Sequence, residues 1–477
     1  MNRVLTYCCG LMLAACGAKD SQEISDNQTQ SLHVEPVVQV YVTDASRERQ
    51  LEESSDLLGE PRLDADVHVF VEPTQMYQQM EGFGFALTGG SVYHLSQMNE
   101  QAQSDLLQEL FGVGTNDIGV SYLRISIAAS DLDAEVYSYN DLPAGETDLM
   151  QENFSIERER ELLIPMLKKI QAINPDIKIM ASPWSPPVWM KTNGSSIGGH
   201  LKEEYYDSYA LYLTKYFQAM EAEGITIETM TIQNEPLHPG NNPSMSMEPE
   251  EQANFIERSL GPAFTEKGIK TKIVLYDHNA DRPDYPISIL DRPEVRKYVA
   301  GSAFHMYGGS IAALSDVHSA HPDKGLYFTE QWFGAPGNFP EDLKWHVREL
   351  MIGAPRNWSR SVIEWNLSSA PDLQPHTDGG CSQCLGGITI DGDEVTRNAG
   401  YYSIGHASKF VRPGAKRIAS NAPDELPNVA FLTPENQIVL LAINNTDTKQ
   451  ICNITQGEQS FSAVLEAGST ATFIWDN

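Results

Sequence analysis

Eight short apolar runs, separated by longer stretches with helical periodicity, constrain the fold of this chain more than any other feature. The intervening stretches repeat apolar residues at the three-to-four-residue spacing of an amphipathic helix, and examples are Ala102–Leu110, Glu157–Ile173 and Glu203–Ala222. Eight strand–helix units predict an α/β fold that closes into a (β/α)8 TIM barrel, with Arg397–Phe410 as its last helix. A doubly wound open sheet is the alternative, but no Gly-x-Gly-x-x-Gly turn follows an early run. The runs are Gly82–Leu87, Tyr122–Ala128, Ile177–Ala181, Glu228–Ile232, Lys272–Tyr276, Ala303–Tyr307, Leu326–Thr329 and Ser361–Trp365.

Strand-like segments on both sides of the barrel region predict a second domain. Two of them precede the barrel and five follow Arg412, with turn residues between them, as in an antiparallel sandwich. We therefore expect a β-sandwich side domain built from both termini, from residues 37–78 and 411–477, around a barrel at 79–410. The segments are Val37–Val42, Val67–Val71, Val429–Leu432, Ile438–Asn444, Gln450–Ile454, Phe461–Leu465 and Ala471–Trp475.

The first 36 residues predict export and anchoring. A positive start is followed by an apolar run from Val4 to Ala15, which is too short to span a bilayer and is typical of a signal peptide at 1–15. Leu13-Ala14-Ala15-Cys16 resembles the lipobox of bacterial lipoproteins, which implies that Cys16 is lipidated. Because no aspartate follows Cys16, the same resemblance implies the outer membrane of the cell envelope. An ordinary secretory signal that contains cysteine is the alternative, and residues 16–36 are polar enough for a flexible tether.

An excess of acidic residues restricts the partners of this chain. Asp and Glu number 65 against 33 Lys and Arg, which gives a formal net charge of −32. A field of this sign repels polyphosphates, so we expect no nucleic-acid partner.

The cysteines favour a disulfide over a metal site. Cys381 and Cys384 form a Cys-x-x-Cys pair, and zinc would need two further ligands for which no matching second pair exists. In an oxidising compartment a local disulfide is the favoured interpretation, with zinc as the alternative. Cys452 is expected to be a buried free thiol, and we expect neither a metal nor an organic cofactor.

Carboxylates, amides and aromatic rings follow several of the predicted strands. The carboxyl ends of barrel strands converge on one mouth, so these side chains are expected to meet there. Rings stack on the apolar faces of sugars, while carboxylates and amides bind hydroxyl groups. The residues are Arg124, Asp131, Trp184, Asn234, Glu235, His305, Tyr307, Glu330 and Trp365.

Two of these residues, Glu235 and Glu330, end the fourth and seventh runs. Glycoside cleavage needs one carboxylic acid and one carboxylate, and a separation of ~5–5.5 Å leads to retention of configuration. Their proximity is expected to raise the pKa of the acid, so that it stays protonated. Asn234 is suited to bind the sugar 2-hydroxyl. A surface ion pair is the alternative for one glutamate, but Asn-Glu-Pro after an apolar strand and a second glutamate three strands later favour catalysis.

In their shared order, these motifs resemble glycoside hydrolase family 30, a clan A group that includes glucosylceramidases and β-1,6-glucanases. The resemblance extends from about Val37 to the C-terminus and implies a barrel that carries a β-sandwich from both termini. The stretches that carry it are Glu81–Thr88, Arg124–Ala128, Ala181–Lys191, Gln233–Pro236, Thr329-Glu330, Glu364–Leu367 and Gly405–Phe410.

The resemblance also implies a role for each candidate residue. Glu235 matches the family acid/base and Glu330 its nucleophile. Arg124 and Tyr307 match residues that orient the nucleophile, and His305 matches a wall of the site. The pocket for the non-reducing sugar is implied to be lined by Asp131, Trp184, Asn234 and Trp365, although Asp131 could instead cap a turn.

Several features leave the shape of the pocket open. Gly89 stands where many family members have Asp, and Met306 where many have Trp. Trp189 and Trp332 are either distal stacking platforms or part of the core beneath the loops. The loop from Pro371 to Gly387 is either a rim clipped by a disulfide or purely structural.

The sequence therefore predicts a lipid-anchored, retaining hydrolase of β-linked glucosides that needs no cofactor. The cysteine-clipped loop and Thr329-Glu330-Gln331-Trp332 resemble β-1,6-glucanases more than lipid-cleaving enzymes. A glucosylceramidase, or an exo-acting β-glucosidase or β-xylosidase, is the first alternative. A non-catalytic carbohydrate-binding surface lipoprotein is an alternative of another class, and such a protein would be expected to lack one of the two glutamates.

Overall fold

The computed structural model describes residues 37–477. The predicted signal peptide, Cys16 and the tether lie outside the described residues. Among residues 37–477, no helix combines the length and the apolar character that crossing a bilayer would require.

Eight parallel strands close into a barrel at the centre of the molecule. They pair in chain order, and the eighth returns to the first, with Val362 beside Phe83. Each predicted run overlaps one of these strands, and the predicted (β/α)8 barrel is confirmed. The barrel strands, numbered first to eighth, are Gly82–Ala86, Tyr122–Ile127, Lys178–Pro183, Thr229–Thr231, Lys272–Ala280, Val299–Gly309, Gly325–Glu330 and Ser359–Asn366.

Helices follow every barrel strand and cover the outside of the barrel. The side chains of Thr88 and Asn99 accept hydrogen bonds from backbone N–H groups and so cap the two helices after the first strand. The helices are Gly89–Gln97, Glu100–Phe111, Glu157–Glu161, Leu163–Ile173, Tyr206–Ala222, Pro249–Phe255, Gly261–Lys267, Asp284–Leu290, Pro293–Arg296, Ala313–Ala320, Phe339–His346, Gly353–Arg356 and Ala399–Ser408, with π turns at Ile256–Leu260 and Val347–Ile352 and 3-10 turns at Ser55–Leu57, Val188–Met190 and Glu203–Tyr205.

The predicted helix Glu157–Ile173 is divided in two at Leu162, where the backbone leaves the helical region with φ −129°. The cause lies at Pro165, which has no N–H group to donate to the preceding turn. A proline is tolerated in the first turn of a helix, so the second helix begins anew at Leu163.

The side domain is a β-sandwich whose strands come from both ends of the described chain. Its ten strands pair in the order Gln50–Glu53, Gln39–Thr43, Thr470–Asp476, Gln437–Ile443, Asn428–Leu432, Lys416–Ser420, Val67–Gln79, Gln450–Gln456, Gln459–Leu465 and Leu58–Gly59. The strand Val67–Gln79 joins the two layers, because its first half pairs with Gln450–Gln456 and its second half with Lys416–Ser420. Cys452 is a buried free thiol in this sandwich, as predicted.

One sheet of the sandwich packs against the barrel with alternate side chains. Phe431 lies in the main barrel core and contacts the ring of Phe83 edge-on at 6.4 Å, whereas its neighbour Ala430 lies in the core of the sandwich. Leu440 and Leu441 are divided between the two cores in the same way. Both faces of these strands are buried, which explains why they are continuous apolar runs in the sequence.

Two small sheets that the sequence did not predict support the loops at the mouth of the barrel. One pairs Phe333–Gly334 with Cys384–Leu385. The other consists of Ser368–Ser369, Ile388–Asp391 and Glu394–Arg397. Both hold the segment from Pro371 to Gly387 over the ends of the seventh and eighth barrel strands.

Candidate active site

A pocket of about 360 Å³ opens at the carboxyl ends of the barrel strands. Seven of the nine predicted site residues line it, whereas Arg124 and His305 lie fully buried beneath it. The loop that carries the two cysteines closes one side. The lining residues are Asp131, Trp184, Asn234, Glu235, His238, Asn241, His278, Asn279, Tyr307, Glu330, Trp332, Trp365, Gly380, Cys381 and Cys384.

Arg124, on the second strand, connects that strand to the ends of four others below the pocket. Its Nη1 lies 2.6 Å from Oε2 of Glu330, and its Nη2 donates to Oδ1 of Asn234 at 2.7 Å and to Oδ2 of Asp277 at 2.8 Å. Its Nε donates to the hydroxyl of Ser182 at 3.1 Å. A guanidinium group offers five donors in a rigid plane, so this side chain fixes the positions of the candidate sugar-binding residue Asn234 and of the candidate nucleophile Glu330.

Asp277 is a functional residue that the sequence analysis missed. It is fully buried, and it accepts hydrogen bonds from Arg124, from Thr231 and Thr329 at 2.7 Å each, and from Nε2 of His305 at 3.1 Å. Burial acts to raise the pKa of Asp277, but Arg124 and His305 hold it far below its usual range. Asp277 directly follows the predicted fifth strand, whose carboxyl end was the signal that could have identified it.

Glu330 receives a donor on each carboxylate oxygen. Arg124 contacts Oε2, and the hydroxyl of Tyr307 donates to Oε1 at 3.0 Å. Burial raises the pKa of Glu330 above its ordinary value, and His305 and Arg124 oppose this rise. The arrangement holds the carboxylate in one orientation at the edge of the pocket.

Glu235 faces two histidines that come from neighbouring strands. Its Oε1 lies 3.1 Å from Nδ1 of His305 and 3.7 Å from Nδ1 of His278. Burial acts to raise the pKa of Glu235, but His278 and His305 hold it below its usual range. The expectation that proximity of the two glutamates raises the pKa of Glu235 is therefore wrong, because the two histidines stabilise its charged form.

His305 links the two glutamates and is no wall of the pocket. Its Nδ1 lies 3.1 Å from Oε1 of Glu235 and 3.7 Å from Oε1 of Glu330. Burial alone would lower the pKa of His305, but the carboxylates of Glu330, Asp277 and Glu235 raise it to about 9. A protonated imidazole between two carboxylates keeps them close together.

Two residues of the site, Glu235 and Asp277, have a strained backbone conformation. Glu235 has φ 45° and Asp277 has φ 67°, in the left-handed region that residues other than glycine rarely adopt. The N–H group of Glu235 donates to the carbonyl of Asp277 at 3.0 Å. The conformation of each residue therefore helps to hold the other, which is a common property of functional sites.

The cysteine-bearing loop forms the rim next to Asp131. Cys381 and Cys384 form the predicted disulfide, and the N–H group of Cys381 donates to Oδ2 of Asp131 at 3.2 Å. Burial, reinforced by the charges of Glu330 and Glu235, raises the pKa of Asp131 to about 7. Asp131 lines the pocket instead of only capping a turn, and the loop is a rim.

The tryptophans divide into pocket residues and core residues. Trp184 and Trp365 lie side by side at a ring-centroid distance of 5.5 Å, with the guanidinium of Arg124 against both rings. Trp332 lines the pocket, whereas Trp189 is buried in the main core and donates to the carbonyl of Asn140 at 3.0 Å. Trp332 thus has a stacking position and Trp189 does not.

Neither of the two residues that depart from the family pattern is among the residues that line the pocket. Gly89 begins a helix and lines a separate cavity of about 990 Å³, where a Cβ at this position would lie 1.8 Å from Oδ1 of Asp133. Asp133 thus fills the space that a side chain at residue 89 would need. Met306 packs against the hydrophobic core.

Comparisons with known proteins match both domains. Residues 80–411 match the family model described as the glycosyl hydrolase family 30 TIM-barrel domain. Residues 414–473 match the glycosyl hydrolase family 30 β-sandwich domain. The two matches follow each other in the order of the barrel and the sandwich.

Individual relatives cover most of the chain. An endo-1,6-β-D-glucanase of Neurospora crassa is 35% identical over 355 residues, which are 72% of this chain and 72% of the relative. The lysosomal acid glucosylceramidase of Mus musculus is 27% identical over 462 residues, 90% of this chain and 87% of the relative. The solved structure of the endo-β1,6-glucanase BT3312 has a TM-score of 0.85 at 34% identity, covering 92% of this chain and 99% of that chain.

Proposed function

This chain belongs to glycosyl hydrolase family 30, and from that membership we propose that it hydrolyses β-1,6-linked glucan by double displacement. It is an O-glycoside hydrolase of a retaining family. In the proposed mechanism Glu330 is the nucleophile and Glu235 is the acid/base. The single observation that carries this assignment is that both carboxylates approach one nitrogen, Nδ1 of His305, at 3.1 and 3.7 Å.

That proximity favours retention. Carboxyl groups of retaining enzymes stand ~5–5.5 Å apart, whereas inverting enzymes keep ~6.5–9.5 Å to admit a water molecule. Two carboxylate oxygens that both lie within 3.7 Å of one nitrogen suit the retaining separation better than the inverting one. Retention also agrees with the donors on Glu330, which leave its oxygens oriented for attack.

In the first step, a carboxylate oxygen of Glu330 forms a bond to the anomeric carbon while the bond to the leaving oxygen breaks. Glu235 gives its proton to that oxygen. In the second step, Glu235 removes a proton from water, the water oxygen bonds to the anomeric carbon, and Glu330 is released. Asn234, held by Arg124, is placed to bind the sugar 2-hydroxyl.

His305 supplies the proton that Glu235 needs. His305 and Glu235 share one proton between Nδ1 of the histidine and Oε1 of the glutamate, which are 3.1 Å apart. Its transfer to Glu235 converts an ion pair into a neutral pair without changing the charge of the site. A bound sugar excludes water and so favours the neutral pair, because desolvation disfavours charged forms.

The substrate follows from the relatives and from the rim. The Neurospora relative and the structural relative are β-1,6-glucanases at 35% and 34% identity, whereas the glucosylceramidase is 27% identical. The rim beside Asp131 is formed by Gly380 and the disulfide, and its neighbouring loop is rich in polar residues. A ceramide-cleaving enzyme would need an apolar rim for the lipid.

The test is a ratio of specificity constants at one pH. We expect kcat/KM to be higher on pustulan or gentio-oligosaccharides than on glucosylceramide, laminarin, cellulose oligomers or an aryl β-xyloside. Equal or higher efficiency on glucosylceramide or the xyloside would reject the β-1,6 preference. Failure to hydrolyse any of these substrates would instead favour a non-catalytic carbohydrate-binding protein, and an inverted product would reject the mechanism.

We propose further that the protein is anchored in the outer membrane through lipidated Cys16, which rests on the lipobox-like Leu13-Ala14-Ala15-Cys16. Acyl chains on that cysteine would supply the membrane affinity. Cys16→Ser should move the protein from the membrane pellet to the soluble fraction. Cys452→Ser is the matched control, because that thiol is buried in the sandwich, and unchanged sedimentation of Cys16→Ser would contradict the anchor.

A further inference from the structure

Glu235, His278 and His305 aim their donor atoms at one another beside the pocket. Oε1 of Glu235 lies 3.1 Å from Nδ1 of His305 and 3.7 Å from Nδ1 of His278, and the three ligand atoms all lie within 4.8 Å of one another. All three side chains are buried. We propose that these three residues form a binding site for Zn²⁺, and that zinc bound there inhibits the enzyme reversibly.

The donor set and its spacing suit zinc. Two imidazoles and one carboxylate, with a fourth position open to water, are the ligands of many zinc sites. Bonds of ~2.0–2.2 Å in a tetrahedral arrangement place neighbouring ligand atoms ~3.3 Å apart. The separations of 3.1 and 3.7 Å lie on either side of that value, so small side-chain movements would complete the arrangement.

His278 supplies an independent indication of a ligand. Its Nδ1 is buried and has no hydrogen-bond partner within residues 37–477, and its ring lines the pocket. A buried polar atom without a partner costs free energy. A metal ion that enters from the pocket would give this nitrogen its missing partner.

His305 has the support that zinc ligands usually have. Its other nitrogen, Nε2, lies 3.1 Å from Oδ1 of Asp277, and Asp277 is itself fixed by Arg124 and Thr329. A carboxylate behind a ligating histidine fixes the orientation of the ring and raises its basicity. This support comes from residues that do not reach the pocket.

The inhibitory consequence rests on the proposed role of Glu235, whereas metal binding does not. A carboxylate oxygen bound to zinc can neither carry nor accept the proton of the leaving group. We therefore expect zinc to compete with the glucan, and EDTA to restore full activity.

Cobalt(II) provides the direct test on the tag-free full-length protein, because tetrahedral cobalt has visible absorption bands that zinc displacement abolishes. We expect these bands with the unmodified protein, and their loss in His278→Gln and in Glu235→Gln. His238→Gln is the matched control, since His238 is an exposed histidine that lines the same pocket outside the cluster. It should keep the bands.

The second measurement is the inhibition constant for zinc on the preferred glucan. It should rise at least tenfold in His278→Gln and stay unchanged in His238→Gln, with circular dichroism used to verify folding. Cobalt bands that persist in both His278→Gln and Glu235→Gln, or no bands in the unmodified protein, would overturn the site. If the variants lose the bands but the unmodified protein hydrolyses no β-1,6-glucan, the metal site is supported and the proposed substrate is rejected. The two failures are therefore distinguishable.

Discussion

The hydroxyl of Tyr307 lies 3.0 Å from Oε1 of Glu330, on the opposite oxygen from the one that Arg124 contacts. The candidate nucleophile thus has a neutral donor on one side and a charged donor on the other. Donors to a carboxylate favour its ionised form. The charged form of Glu330 is therefore favoured by Tyr307 and Arg124, on the sixth and second strands, as well as by His305.

Tyr307→Phe removes the neutral donor alone. We expect kcat to fall ~10²-fold, the range measured when one positioned donor is lost from an active site. The pKa of Glu330 should rise further, so the acidic limb of the kcat/KM profile should move to higher pH. Tyr209→Phe is the control, because that hydroxyl is buried and has no partner among the described residues. An unshifted acidic limb in Tyr307→Phe would contradict the role given to this contact.

Glu330→Gln should abolish turnover, because the amide cannot form the covalent intermediate. Each ~1.4 kcal/mol of lost transition-state stabilisation reduces the rate tenfold, and we expect the rate to fall by several factors of ten. In the unmodified enzyme, a 2-deoxy-2-fluoro glucoside should label Glu330, as identified by peptide mass spectrometry. Glu364→Gln is a useful comparison, since this third strand-end glutamate is buried against Nδ1 of His346 at 2.8 Å. A label on any other residue would exclude Glu330 as nucleophile.

Glu235→Ala should affect the two chemical steps unequally. An aryl glycoside with an activated leaving group needs little protonation, so the first step survives while the second, which needs a base, slows. Azide should restore turnover and yield a β-glycosyl azide, detectable by NMR. If natural and activated substrates lose activity equally and azide has no effect, Glu235 has another role.

His406 predicts how stability depends on pH. Its ring lies between the hydroxyls of Thr43 and Thr472, at 2.9 Å from each, where the last barrel helix meets the sandwich. Burial lowers its pKa to about 3, whereas an unfolded histidine titrates near ~6.5. The neutral ring therefore contributes stability above pH ~6.5, and this contribution is lost as the pH falls from there towards 3.

Urea unfolding of the unmodified protein and of His406→Gln, at pH 7 and at pH 5, tests this assignment. The free energy of unfolding should fall with pH by up to ~1.4 kcal/mol per unit from this group, and His406→Gln should show a shallower fall. His68→Gln, at an exposed position of the sandwich, should keep the original slope. An unchanged slope in His406→Gln would show that another group controls the pH dependence.

The barrel could be predicted because its signal is local. Apolar runs and helical periodicity can be recognised within short stretches of sequence, and each run overlaps an observed strand. The fifth run ends four residues before the strand does, because the strand continues from Asp277 to Ala280. Three of these four residues are polar, and His278 and Asn279 line the pocket. Apolar patterning ends where a strand enters a functional site. The sequence analysis therefore missed the polar residues at the end of the fifth strand, which belong to the candidate site.

The site could be predicted only as a set of strand ends. Glu235, Glu330 and Asp131 are recognisable by residue type and position, but His278 has no motif that marks it. The pKa of Glu235 depends on imidazoles from the fifth and sixth strands, and such contacts exist only in three dimensions. Likewise, that Nδ1 of His278 has no hydrogen-bond partner among the described residues becomes visible only once the strands are placed side by side.

The pairing of Gln39–Thr43 with Thr470–Asp476 has a consequence for synthesis. A ribosome delivers the first of these strands long before the second, so the early strand leaves the tunnel with an unpaired hydrogen-bonding edge. Such an edge is open to association with other chains, and contacts so distant along the sequence form slowly. The sandwich can therefore mature only after Thr470–Asp476 has been synthesised, and until then this edge of Gln39–Thr43 stays open to association with other chains.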